Sequence, residues 1–137
     1  MKAPAYSKDL GLLVIRLGIG LMFICHGIPK LSGGPEGWES LARFALPFLP
    51  AGYLAVAFGF AAMAAELGGG LLLVAGKYHR SACLALAVTM AVAFSTKLES
   101  VSGFHNFADK AGWPLELLIV SVALLVTGPG RYALDRE

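Results

Sequence analysis

The chain has 137 residues, a net charge of +2 and 57% hydrophobic residues. The length allows one domain, residues 1–137, and its apolar fraction exceeds the roughly 45–50% typical of soluble domains. The small net charge and the lack of a basic tract argue against a nucleic-acid-binding protein. The two cysteines form neither a C-x-x-C motif nor a metal-ligand cluster, which argues against a thiol-relay enzyme. The composition therefore indicates a membrane protein.

Four segments are long and apolar enough to cross a bilayer, for which a helix needs roughly 20 mostly apolar residues. They cover about residues 10–31, 52–75, 81–98 and 113–128. No A-x-A cleavage site follows the first apolar run, so that run is predicted to be a retained span and not a signal peptide. The sequence predicts an all-α membrane protein with a four-helix transmembrane bundle.

The basic residues outside the spans predict the orientation of the bundle. Three regions carry them, and four spans place all three on one side: Lys2 and Lys8, Lys77 with Arg80, and Arg131 with Arg136. Cytoplasmic loops carry an excess of Lys and Arg. We therefore expect the N- and C-termini in the cytoplasm.

The two remaining loops, residues 32–51 and 99–112, then face outward. In the first of them, Trp38–Phe44 has the pattern of a short amphipathic helix that lies in the membrane interface with Trp38 as an anchor. Pro47 and Pro50 are predicted to end this helix.

Charged residues inside the spans are costly, at about 2.5–3.5 kcal/mol each, and usually face the bundle interior. In the first span, Arg16, Phe23, Gly27 and Lys30 share one helical face. Arg16 and Glu66 lie at similar distances from the cytoplasmic ends of their spans, and an Arg–carboxylate pair tolerates burial. The sequence therefore predicts an intramembrane Arg16–Glu66 ion pair, either structural or functional.

A second polar group is expected near the outer ends of the spans. It consists of His26, Lys30, Lys97 and Glu116, over which His105 of the outer loop is able to fold. These residues are candidates for a ligand-binding pocket at the outer mouth of the bundle. The alternatives are that the lysines extend to the headgroups, that Glu116 complements its helix N-terminus, and that His105 is an ordinary loop residue. A histidine on a polar face within a span suits proton transfer or hydrogen bonding to a quinone.

Three motifs, read together, carry a family resemblance that covers about residues 10–135. They are R-L-G-I-G-L-M-F-I-C-H-G-I-P-K-L (Arg16–Leu31), E-L-G-G-G-L-L-L-V-A-G (Glu66–Gly76) and L-L-V-T-G-P-G-R-Y-A-L-D (Leu124–Asp135). Their order and spacing resemble the DoxX family of small four-helix integral membrane proteins. The resemblance implies a multi-pass protein of the bacterial cytoplasmic (inner) membrane, related to the small subunit of a thiosulfate:quinone oxidoreductase. The segment 99–116 matches the family pattern less well.

Two functions follow as expectations, since fold and function separate easily. The first is a subunit of, or accessory to, a membrane oxidoreductase system, with quinone as the candidate cofactor and another membrane or redox protein as its partner. The chain has no complete catalytic motif of its own, so its electron donor would belong to that partner. The second is a non-enzymatic assembly factor or accessory subunit, with or without homo-oligomerisation. A small transporter ranks last, because the sequence shows no inverted repeat.

Overall fold

The computed structural model of the chain describes residues 5–135, with side chains from Ser7 onward. This part of the chain is helical and contains no strand. The helices are α1 (Ala5–Ser32), α2 (Gly34–Ala45), α3 (Tyr53–Ala75), α4 (His79–Leu98), α5 (Phe104–Phe107) and α6 (Trp113–Thr127), with a π-helical turn at Ala108–Gly112. The basic residues Lys2 and Arg136 of the orientation argument lie outside the described residues.

Four stretches of helix are long and apolar enough to cross a membrane, which confirms the predicted all-α architecture. The largest difference from the predicted spans is in the last one, which begins at Phe104 and runs for 24 residues to Thr127. The sequence predicted an outer loop for residues 99–112, whereas residues 104–112 are helical. Polar residues and Gly112 conceal the helix there, because they interrupt its apolar pattern.

The π-helical turn allows α5 to continue into α6 as one helix. Pro114 has no backbone N–H to donate to a carbonyl one turn earlier, and its ring crowds that carbonyl. A wider turn at Ala108–Gly112 relieves this conflict just before the proline. The single helix therefore passes the proline without stopping.

The four long helices pack in the order α1, α3, α4, α6, and the contact that closes the ring between α6 and α1 is sparse. We call the end that holds the α3–α4 turn and residues 128–135 the terminal end, and the opposite end the α2 end. At the α2 end, α2 lies against the first half of α3 and also reaches α1 and α4. The predicted short helix is thus present, and it ends at Ala45, before Pro47.

Glycines allow the closest helix approaches. A Cβ on Gly27 of α1 would lie 2.7 Å from the Cβ of Leu67, and one on Gly20 would lie 2.9 Å from the carbonyl oxygen of Gly70. A Cβ on Gly59 would overlap the backbone of Trp38, so α2 rests directly on α3. Small residues bring backbones together in lipid, where packing drives association.

The core on which these helices close contains Phe23, Leu73, Cys83, Leu86, Met90, Leu117 and Leu124.

Gly27→Ala is expected to lower the stability of the bundle, because its added methyl group meets the backbone of Leu67. Overpacking of this kind costs about 1–3 kcal/mol. Gly18→Ala is the matched control on the same helix, since its Cβ would meet nothing within 4 Å. Thermal unfolding in detergent should show a lower Tm for Gly27→Ala alone. Equal Tm values for the two variants would contradict the close α1–α3 contact.

Candidate functional site

An ion pair joins the last turns of α1 to the middle of α3. The Lys30 ammonium contacts both carboxylate oxygens of Glu66. The Glu66 side chain is 2% exposed and the Lys30 side chain 26% exposed. The carboxylate is therefore enclosed by protein, while the ammonium reaches toward the surface.

The predicted Arg16–Glu66 pair is wrong, because the two residues lie at different depths. Gly27 faces Leu67, so Glu66 is level with the last turn before Lys30. Arg16 is level with Gly76, where an added Cβ would lie 2.7 Å from Arg16 Nη1. Ten residues of α3 separate the two levels, or about 15 Å. The prediction assumed that α1 and α3 end flush at the terminal end, whereas α1 begins at Ala5 and extends beyond α3.

Arg16 is instead bound by the segment that follows α6. Its Nη1 donates to the Pro129 carbonyl at 2.7 Å and its Nη2 to the Tyr132 carbonyl at 2.6 Å. The side chain is only 1% exposed. Two backbone carbonyls thus solvate a buried guanidinium, and the predicted carboxylate has no part in it.

The segment 128–135, which we call the C-terminal clasp, closes the terminal end of the bundle. The N–H of Leu134 donates to Ala75 and that of Asp135 to Gly76. The Asp135 carboxylate in turn accepts the N–H of His79, the first residue of α4. The motif Leu124–Asp135 was recognised in the sequence, but its part in binding Arg16 and starting α4 was not.

His79 is a buried residue that was not among the candidates predicted from the sequence. It is 1% exposed, and its Nε2 lies 2.9 Å from the Leu124 carbonyl. Because a carbonyl only accepts, Nε2 carries the hydrogen. Nδ1 has no hydrogen-bond partner among the described residues. The alternating small and apolar pattern of α4 gives no sign that its first residue turns inward.

A cleft of about 420 Å³ opens beside Lys30 at the α2 end. Its walls are the end of α1, the turn at Gly33, and one face of α2 that includes Ser40, Leu41 and Phe44. Trp38 fixes this geometry, since its indole Nε1 donates to the Lys30 carbonyl at 2.8 Å. The cleft is mainly apolar, and Lys30 and Ser40 are the two residues on its walls that have polar side chains.

The structure places two other candidate residues near this cleft without making them part of its wall. Lys97 lies 5.7 Å from the ring centroid of Phe44, within cation–π distance. His26 is one turn below Lys30 and stacks on Trp113, with ring centroids 5.1 Å apart. The stack bridges the sparse contact between α1 and α6.

The remaining two candidates lie elsewhere. Glu116 is exposed on α6, on the opposite side of Trp113 from the α2 end. The sequence placed it in the first turn of its span, but the helix begins twelve residues earlier, at Phe104. His105 is exposed on α5 and does not cover Lys30. The residues predicted to form one outer pocket are therefore dispersed. Of these candidates, only Lys30 lines the cleft.

Exchanging the charges of the ion pair should separate the observed pairing from the predicted one. Glu66→Lys alone buries two facing cations and is expected to destabilise the protein by at least the roughly 3–5 kcal/mol of a broken buried pair. Adding Lys30→Glu should restore much of the Tm and expression. Adding Arg16→Glu should not, because Arg16 is about 15 Å away along the helix. Rescue by Arg16→Glu in place of Lys30→Glu would contradict the geometry.

Comparisons with known proteins agree with this architecture. The DoxX family model matches residues 11–98, which is more than half of the chain. A Mycobacterium tuberculosis protein named "Uncharacterized membrane protein Rv3486" is 32% identical over 98% of this chain and 89% of its own length. A Bacillus subtilis protein named "Putative oxidoreductase CatD" is 30% identical over 94% of this chain and 87% of its own length. No solved structure matches the chain significantly.

The matched region contains the elements that make the ion pair and the cleft, namely α2, α3 and the part of α1 from Gly11 onward. Both relatives align along almost the whole chain, and the one from Mycobacterium tuberculosis is named as a membrane protein. Four apolar helices make this chain a multi-pass integral membrane protein. It belongs to the DoxX family.

Proposed function

We propose that the chain binds a quinone headgroup in the cleft beside Lys30, as a subunit of or accessory to a membrane oxidoreductase system. The observation that carries the proposal is an apolar cleft whose one cation is already paired with a buried carboxylate. Its volume of about 420 Å³ is within the 300–1,000 Å³ typical of small-molecule sites.

The charge balance of the cleft favours a neutral ligand. Glu66 offsets the charge of Lys30, so an anionic headgroup would gain little net attraction there. The ammonium still has a hydrogen to donate, since it carries three and the carboxylate takes two. A quinone carbonyl is a neutral acceptor of that hydrogen.

The surroundings of the cleft suit a ligand with a long apolar tail. Ile28 is 51% exposed and Leu31 is 50% exposed, and both flank Lys30 on α1. In a membrane-spanning helix such residues contact lipid. A quinone tail would therefore remain in the bilayer while its headgroup entered between α1 and α2.

The chain's own residues would bind and orient the headgroup. Lys30 would donate a hydrogen bond to one carbonyl, and Glu66 would keep the ammonium in place. Reduction of a quinone to a quinol takes two electrons and two protons, and the electrons would come from a redox group held by a partner protein. The name of the Bacillus subtilis relative as an oxidoreductase supports this placement.

The test uses fluorescence of Trp38, which contacts Lys30 directly. The chain has two tryptophans, so Trp113→Phe leaves Trp38 as the reporter. A short-tailed ubiquinone analogue should quench it saturably in detergent micelles. Adding Lys30→Met and Glu66→Gln together removes the donor without leaving an unpaired buried charge. This should weaken binding about tenfold, which corresponds to roughly 1.4 kcal/mol for a lost hydrogen bond to a charged group.

Lys110→Met is the matched control, since Lys110 is exposed on the π-helical turn and does not line the cleft. It should bind the analogue like the parent protein. Quenching that never saturates, or that is the same in the Lys30→Met/Glu66→Gln variant, would exclude the cleft as a quinone site. The accessory role without a ligand would then be the better interpretation.

We further propose that the protein lies in the bacterial cytoplasmic membrane with both termini in the cytoplasm. The support is the clustering of basic residues at the terminal end, including Lys8, Lys77 and Arg131. Alkaline phosphatase fused after Glu137 should be inactive, because it folds only outside the cytoplasm, and the same enzyme inserted after Ser102, in the connection between α4 and α5, should be active. The reverse pattern would invert the orientation and place the cleft on the cytoplasmic side.

A further inference from the structure

An acidic residue interrupts the lipid-facing surface of α6. Glu116, Ile119, Ala123 and Val126 are all exposed and recur at helical spacing on one side of the helix. Ile119 is 58% exposed and Val126 is 77% exposed. We call this row of four residues the α6 stripe. Its apolar members are normal for a surface in lipid, and Glu116 is the exception.

Glu116 lies near the middle of the span. The helix runs from Phe104 to Thr127, so Glu116 is about 18 Å from the first residue and about 17 Å from the last. The neighbouring helices give the same depth. Trp113, one turn before Glu116, stacks on His26, and Leu124, two turns after it, contacts His79 at the start of α4. The hydrocarbon core of a bilayer is about 30 Å thick, so Glu116 is near its centre.

Within residues 7–135, no hydrogen bond or ion pair reaches the Glu116 carboxylate. A carboxylate in the centre of the bilayer is costly when it is unpaired, and such groups normally find a partner in another helix. The buried Glu66, by contrast, has Lys30. The chain thus pairs its inward carboxylate and leaves its outward one to be paired from outside.

We propose that the α6 stripe docks a transmembrane helix of another protein that presents a Lys or Arg at the middle of the bilayer. A second copy of this chain is the weaker occupant. A two-fold dimer through this stripe would bring two Glu116 carboxylates to the same depth, where they repel. In the described chain, the exposed lysines and arginines lie in α2, in connections or toward helix ends: Lys8, Arg43, Lys77, Arg80, Lys110 and Arg131.

This surface supplies a subunit contact of the kind that the proposed function requires, but it lies apart from the cleft. The quinone proposal and the docking proposal can therefore be contradicted independently of each other. The Lys30→Met/Glu66→Gln variant should keep the docking surface even where it loses the quinone.

The probe is a synthetic transmembrane peptide of leucine and alanine, 24 residues long, with one central lysine and a dansyl group beside it. Phosphatidylcholine vesicles hold the peptide and the Trp38→Phe protein, in which Trp113 is the donor for energy transfer to dansyl. Half-maximal transfer should occur at a peptide-to-lipid ratio about tenfold lower for the central-lysine peptide than for a central-leucine peptide. Glu116→Gln should remove that preference, and Glu116→Lys should transfer it to a central-glutamate peptide.

Glu99→Gln is the matched control, because it removes an exposed carboxylate at the end of α4 and should keep the preference. Circular dichroism should show the same helix content in all variants, since Glu116 packs against nothing in the core. Equal binding of the lysine and leucine peptides by the parent protein would overturn the proposal. So would energy transfer between two labelled copies that Glu116→Gln abolishes, because the occupant would then be a second copy.

Discussion

The enclosed carboxylate of Glu66 is the constraint on which the arrangement of α1, α2 and α3 depends. A bilayer offers no water to a charged group, so Glu66 requires a cation at its own depth. Lys30 meets that requirement and so sets the register of α1 against α3. The same register brings Gly27 against Leu67 and Gly20 against Gly70. The ion pair and the glycine contacts therefore support one another, and neither tolerates a shift of one turn.

The position of α2 follows from this pair of helices. Gly59 leaves room for the backbone of Trp38, and the Trp38 indole binds the carbonyl of the very lysine that pairs with Glu66. Ammonium, carboxylate, indole and cleft thus form one connected unit where α1, α2 and α3 meet. At the terminal end the same problem of a buried charge has a different solution, since the C-terminal clasp gives Arg16 two carbonyl oxygens. Each of these two buried charges organises the part of the chain that packs around it.

Glu116 differs from these two charged residues, because no group of the described chain binds it. Arg16 and Glu66 are turned inward and bound by groups of the same chain, whereas Glu116 faces outward among apolar residues. In the docking proposal, a neighbour in the membrane supplies the partner that Glu116 lacks within residues 7–135. The cleft and the α6 stripe are on different helices, so ligand binding and partner binding need not compete.

The sequence by itself determined the four apolar helices, the short helix before Pro47 and the inward stripe of Arg16, Phe23, Gly27 and Lys30. These follow from hydrophobicity and helical periodicity, which are local properties of the chain. The tertiary structure decided which charges meet. The order of the spans does not state how far one helix extends beyond another, and an offset of ten residues along α3 places Arg16 at Gly76 and the C-terminal clasp instead of at Glu66. The tertiary structure also decided the depth of Glu116. The π-helical turn before Pro114 joins the polar segment that begins at Phe104 to the last span, so the helix is longer than its apolar residues indicate and Glu116 lies near its middle.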